Sequence, residues 1–308
     1  MIKDNSIVFY NRYTKCEEVE KVYGDKFVRF LYQNFFGRIL ERLFATKFVS
    51  IFYGRTQSQK ASAKKIPAFV EKYKIPMEDY TAGEVESPDK LKSYSSFNDF
   101  FIRKFVDGKR SFPADESVFG AFAEARYYGH TKVDSEVKLP VKGQYLKAKD
   151  ILNSSKWYSH FEGGPFLIAR LCPVDYHRYH YPVSGHTLDS YTIPGAFHSV
   201  NPMAIEQVPD IFFKNERRVS ILETKDFGKL AYVEVGAVCV GKIVQSFDEK
   251  QSFSKGDEKG YFLFGGSTVI LLGEPGKWKP SEDILMNTSR GMETYCRLGD
   301  EIATQSLV

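Results

Sequence analysis

The sequence predicts an α+β fold: N-terminal amphipathic helices followed by a mostly antiparallel β domain. Three observations predict it. Apolar residues between Lys26 and Tyr53 recur at helical spacing. Beyond residue 110 the texture turns to short apolar runs separated by glycine and proline. Two of those runs, Tyr261-Phe262-Leu263-Phe264 and Val269-Ile270-Leu271-Leu272, flank a Gly265-Gly266-Ser267-Thr268 break and read as buried strands. At 308 residues the chain has ample length for a core, and a boundary near residue 110 divides it into a helical region, 1–110, and a β-rich domain, 111–308.

Residues 1–25 are polar and mixed, with a short turn at Tyr10-Asn11-Arg12-Tyr13-Thr14. The helical run that follows carries Val28, Leu31, Tyr32, Phe35, Phe36, Ile39, Leu40, Leu43 and Phe44. Lys26, Arg29, Arg38, Arg42, Lys47 and Arg55 decorate it, against Glu41 alone, and Gly37 divides it. Such a basic, aromatic helix either lies in a membrane interface against anionic headgroups or packs on the protein's own core. Residues 54–95 are hydrophilic, with a short helix expected from Ile66 to Tyr73. Ser96 is placed to cap a second helix, with Asp99 in its first turn. Expected strands then include Phe166–Leu171, Val219–Glu223, Leu230–Val235 and Val238–Val244.

Composition excludes several classes. The charge of +4 on 43 basic and 39 acidic residues is no footprint of a nucleic-acid binder. Cys16, Cys172, Cys239 and Cys296 form no CxxC pair and no zinc spacing, as expected of a reducing compartment. No long apolar leader begins the sequence, and no uncharged apolar stretch of spanning length occurs in it.

Two stretches could carry chemistry. A serine after a Gly-Gly step can attack the carbonyl of its own preceding residue, because glycine leaves that carbonyl unshielded and the backbone free. The alternative is a plain bulge or hairpin turn at Gly265-Gly266. The second stretch is Asp175-Tyr176-His177-Arg178-Tyr179-His180, bracketed by Pro173 and Pro182. In a helical turn His177 and His180 would share one face, as acid/base work at neutral pH requires. With no HExxH and no partnering carboxylate motif, acid/base work is the reading over a metal site.

These motifs, with Ser96-Phe97-Asn98-Asp99-Phe100-Phe101-Ile102-Arg103, Ser199-Val200-Asn201-Pro202, Asn215-Glu216-Arg217, Val233-Glu234-Val235-Gly236-Ala237 and Lys255-Gly256, stand in the order found in the phosphatidylserine decarboxylases, and the chain resembles that family over nearly its whole length. The resemblance implies a proenzyme. Ser267 would attack the Gly266 carbonyl, and the resulting ester would eliminate to leave a pyruvoyl group at the new N-terminus of residues 267–308. That ketone would form a Schiff base with phosphatidylserine and accept electrons as carbon dioxide departs, giving phosphatidylethanolamine. His180 matches the histidine that assists self-cleavage, and His177 the one that serves decarboxylation. The resemblance also implies peripheral attachment to an anionic phospholipid surface at the cytoplasmic face of the cell membrane. The two fragments would stay associated, and a homodimer is allowed.

One position departs from the family. Its self-cleavage histidine is oriented by the aspartate of a Pro-Ala-Asp-Gly motif. A literal Pro113-Ala114-Asp115 occurs here but is followed by Glu116; a gap-free alignment anchored on Arg110 and Val118 puts the motif at Phe122-Ala123-Glu124-Ala125. Glu124 is therefore the expected triad acid and Asp115 a decoy. The alternative to an active enzyme is a membrane-binding pseudoenzyme or cleavage-impaired precursor, because Glu124-Ala125 replaces Asp-Gly. A phosphate-cradling loop at Gly265-Gly266 is disfavoured, since no lysine follows the glycines.

Overall fold

The computed structural model describes residues 7–20, 52, 54–133, 146–199, 204, 211–237, 242–265 and 267–306. The expected N-terminal amphipathic helices fall outside the described residues, apart from the exposed Phe52. So do Gly266 and most of the strand expected at Val238–Val244.

The described strands, in chain order, begin with β1 (Val8–Asn11), β2 (Cys16–Val19), β3 (Val118–Gly120), β4 (Ala125–His130) and β5 (Phe166–Leu171). There follow β6 (Arg178–His180), β7 (Gly185–Ile193), β8 (Arg217–Thr224), β9 (Lys229–Val235) and β10 (Ile243–Gln245). The last are β11 (Glu258–Phe262), β12 (Ser267–Gly273), β13 (Trp278–Pro280), β14 (Glu293–Cys296) and β15 (Glu301–Gln305). Nine form one sheet in the order β2-β1-β14-β4-β5-β12-β9-β8-β7, and two three-stranded sheets run β10-β11-β6 and β13-β15-β3. Only β1 and β14 pair in parallel; every other neighbour pair in the large sheet is antiparallel. The fold is α+β, as the sequence predicts.

The most apolar run takes the most enclosed place. All seven residues of β12 are buried, between β5 and β9. The helix Ile66–Tyr73 has the expected bounds, and Pro67 sits in its first turn, where a missing N–H costs nothing. The helix Phe97–Phe101 is capped as expected: the Asp99 N–H donates to Ser96 Oγ at 3.1 Å. These helices bury Ile66, Phe69, Phe97, Phe100 and Phe101 in a small second core, which also takes in Tyr176, Phe264 and Leu298. Residues 7–20, counted with the helical region from the sequence, instead form the β1–β2 hairpin at one edge of the large sheet.

One feature of the topology makes a site. β5 and β12 pair in the large sheet, while their continuations β6 and β11 pair in a small one. The two-stranded ribbon thus switches sheets, and the described parts of both connections, 172–177 and 263–265, lie at the same corner. His177 lies on one connection, and Ser267 follows the other.

Candidate active site

Ser267 opens β12, opposite Leu171 at the end of β5, and is fully buried. Its Oγ lies 3.4 Å from His177 Nδ1. On the far side of that ring, Nε2 is 2.9 Å from the Cys172 carbonyl. A carbonyl only accepts, so Nε2 carries the proton and Nδ1 presents a lone pair to the serine hydroxyl. Phe101 stacks on the ring at 3.8 Å between centroids and 18° between planes. Burial drives the His177 pKa down to about 3, the Arg103 guanidinium pushes the same way, and the Cys172 carbonyl opposes them only in part.

Arg103 is itself buried and meets no carboxylate among the described residues; its Nη2 donates to the Val174 and Asp175 carbonyls at 3.0 and 3.1 Å. It lies over the Tyr80 and Phe100 rings. The loop that carries His177 is further fixed by Asp175, whose Oδ2 accepts the Cys172 N–H at 2.6 Å and an Arg126 hydrogen bond.

The two histidines do not share a helical face. His180 belongs to strand β6, whose pairing with β11 overrides the local helical spacing. Its Nδ1 lies 2.8 Å from the Gly256 carbonyl, and its Nε2 is 3.2 Å from the Tyr176 hydroxyl. By the same logic Nδ1 holds the proton and Nε2 accepts from Tyr176. Burial lowers the His180 pKa and Arg178 pushes the same way, while the Gly256 carbonyl, Glu258 and Asp257 oppose them only in part. The two rings thus differ in their neighbours: His177 faces the Arg103 cation, and His180 has Glu258 and Asp257 as well as the Arg178 cation.

Glu124 is buried beside this corner, but its carboxylate is committed elsewhere. Arg110 grips it with two hydrogen bonds, Nε to Oε2 at 2.7 Å and Nη2 to Oε1 at 3.0 Å. The Tyr295 hydroxyl and the Leu298 N–H add one each, at 3.1 and 3.3 Å. The acid expected behind His180 therefore faces a guanidinium, and His180 rests on a carbonyl and a phenol. The extra methylene of glutamate extends the carboxylate beyond an aspartate's reach. Asp115, by contrast, is exposed and closes a turn on the Ser117 N–H and hydroxyl at 2.9 and 2.7 Å.

The sequence reading did not single out Cys172, Tyr176, Arg103 or Asn98 for roles at this corner. The Cys172 contribution comes from its backbone and leaves no side-chain signal. Asn98 did leave one, as a polar residue among four aromatic or aliphatic neighbours in Phe97–Ile102.

A family model described as phosphatidylserine decarboxylase matches residues 97–304. A phosphatidylserine decarboxylase proenzyme of Clostridium tetani is 40% identical over 296 residues, covering 96% of this chain and 97% of that protein. One of Clostridium novyi is 37% identical over 300 residues, covering 97% and 99%. A third, of Fusobacterium nucleatum, is 38% identical over 300 residues, covering 97% and 98%.

Proposed function

This chain belongs to the phosphatidylserine decarboxylase family, and from that premise we propose that it is a proenzyme that cuts itself between Gly266 and Ser267 and then decarboxylates phosphatidylserine. The observation that carries the reading is the buried Ser267 hydroxyl facing the unprotonated nitrogen of His177 beside a Gly-Gly step. In the cut, a bond forms from Ser267 Oγ to the Gly266 carbonyl carbon as the peptide C–N bond breaks. Loss of the serine α-proton then expels the Gly266 carboxylate, and water releases ammonia.

The group so made would be a pyruvoyl, and the residues present fit it. Ser267 is fully enclosed, and the neighbouring Thr268 Oγ1 is buried with no hydrogen-bond partner among the described residues. When present, the ketone supplies a sink for the electron pair left by the departing carboxylate. His177 holds and delivers protons at the Ser267 side chain, the atom group it already touches. Its low pKa makes it a weak acceptor for the serine proton during cutting. His180 matches the family's self-cleavage histidine and has Glu258 and Asp257 as well as Arg178 near it, and the proton of the cutting step is assigned to it. His180 Nε2 is engaged by the Tyr176 hydroxyl, so taking up a proton there requires that hydrogen bond to open. The substrate lies in a bilayer, and the basic aromatic run 26–53 is assigned to docking on its anionic surface.

A second reading, a cleavage-impaired precursor, is favoured by the locked Glu124–Arg110 pair. Denaturing mass spectrometry decides between them. The active reading expects a fragment ending at Gly266 and one of 42 residues, Ser267 to Val308, blocked to Edman degradation. Ser267→Ala is expected to leave one intact chain, and cutting in that variant would sink the assignment.

A further inference from the structure

The Phe264 N–H donates to the side-chain oxygen of Asn98 at 2.8 Å. The Asn98 amide is buried, 3% exposed, and its nitrogen donates to the Gly54 carbonyl at 3.1 Å and to Ser58 Oγ at 2.8 Å. Those two bonds fix which end of the amide faces Phe264. The Phe264 ring is held edge-on against Phe97 and Phe101, at 5.1 and 4.9 Å. Phe101 in turn stacks on His177. One capped helix of five residues thus touches the chain just before the Gly-Gly step and the ring that faces the nucleophile.

The mechanical consequence follows from where the chain is tied. After the cutting site, Ser267 is fixed by its pairing with Leu171. Before it, the last side-chain tie among the described residues is Phe264 to Asn98. Between them lie two glycines, the most freely rotating residues available, and Gly265 has a φ of +148°, which favours glycine. A two-glycine tether fixed at one end samples many conformations, few of which set the Gly266 carbonyl over Ser267 Oγ. Fixing both ends removes most of that freedom before the reaction begins.

We infer that Asn98 is a positioning residue for self-cleavage: its amide fixes the upstream end of the Gly265–Gly266 step, so that Ser267 meets the carbonyl it attacks. The inference rests on the self-cleaving reading above. Asn98 touches no reacting atom and acts through the Phe264 backbone.

The test uses the full chain made in a cell-free system, with the fraction cut followed over time. Asn98→Leu, similar in size but without any of the three side-chain hydrogen bonds, is expected to cut at least about tenfold more slowly than the parent, since the bond to Phe264 alone is worth about that factor. Asn98→Asp keeps the acceptor for Phe264 and is expected to recover most of that rate. A parental rate in folded Asn98→Leu overturns the inference. Where Asn98→Leu disturbs folding, Phe264→phenyllactate carries the test, because it deletes only the N–H donor; a parental rate there also overturns the inference. Hydrogen exchange supplies a readout independent of cutting. In a Ser267→Ala chain, adding Asn98→Leu is expected to speed exchange at Phe264 and Gly265 about tenfold while the β12 amides stay protected. Unchanged exchange at Phe264 overturns the inference. A parent that never cuts overturns the self-cleaving reading instead, and exchange then judges the Asn98 tie alone.

Discussion

At the residue scale, the site separates contact from basicity. His177 touches Ser267 and has the right tautomer, yet burial and Arg103 oppose its protonation. His180 does not touch Ser267 in any described contact; burial and Arg178 lower its pKa too, but the Gly256 carbonyl, Glu258 and Asp257 oppose them. His180→Ala is therefore expected to block cutting, and His177→Ala to allow cutting but abolish turnover per cut chain. Mass spectrometry scores the first and phosphatidylethanolamine formation the second; the reverse pattern would give the cutting step to the residue in contact. Glu124 sets a further condition. While Arg110 holds both of its oxygens, Glu124 is not free to orient His180 or to offset an imidazolium there. Glu124→Asp shortens the side chain by one methylene and weakens that grip, and Ala125→Gly loosens the start of β4. The double variant is expected to cut faster than the chain as written, by the same time course. Asp115→Asn, on an exposed turn, is expected to change nothing; arrest in that variant would return the triad acid to Asp115.

At the element scale, the β1–β2 hairpin is tied to the site by buried charge. Glu20, just past β2, accepts from Arg170 Nη2 at 2.7 Å and pairs with Arg126 Nε at 3.1 Å. Arg170 also binds Glu293, and Arg126 binds Asp175 on the His177 loop. Burial alone would raise the Glu20 pKa, but Arg170 and Arg126 outweigh it and hold the carboxyl at about 2. A depressed carboxyl contributes stability that is complete above its unfolded value, near 4.5, and lost as pH falls through about 2. Glu20→Gln removes the charge and leaves two buried guanidinium groups short of a partner, at a cost of about 3 kcal/mol. Urea unfolding at pH 7 is expected to show that full deficit, and the gap to the parent should narrow toward pH 3. An equal gap at both pH values would make the loss one of packing. This hairpin was not legible in the sequence. Val8–Asn11 and Cys16–Val19 are short and mixed, and β1 gains its place by pairing with β14 at the far end of the chain, which no local pattern reports. The strands β5 and β12 and the cap at Ser96 were legible, because unbroken apolar runs and a serine before an aromatic helix are local signals. The histidine pair misled for the converse reason. Flanking prolines and a spacing of three suggest a turn of helix, whereas the β6–β11 pairing, set from a distance, draws His180 into a strand.

At the scale of the whole molecule, the fate of the cut chain follows from strand order. Residues 267–308 contain β12, β13, β14 and β15 and the helix Glu282–Ser289. None of these forms a unit of its own. β12 lies between β5 and β9, β14 between β1 and β4, and β15 pairs with β3 as well as with β13. The small fragment would thus be woven into two sheets that it shares with the other fragment, supplying β12 and β14 to the large one and β13 and β15 to a small one completed by β3. Its apolar residues Val269, Ile270, Leu271 and Leu272 are fully buried in the main core. Releasing it would expose those side chains at roughly 2 kcal/mol each and break the ladders on both sides of β12. One broken peptide bond at the sheet corner would offset little of that, since Phe264 is held by Asn98 and Ser267 by its pairing with Leu171. The two fragments are therefore expected to co-elute in native size-exclusion chromatography and to melt in a single transition. They should separate only after denaturation, when the 42-residue piece appears alone by mass. A small fragment that elutes by itself under native conditions would show that this strand order does not survive cutting.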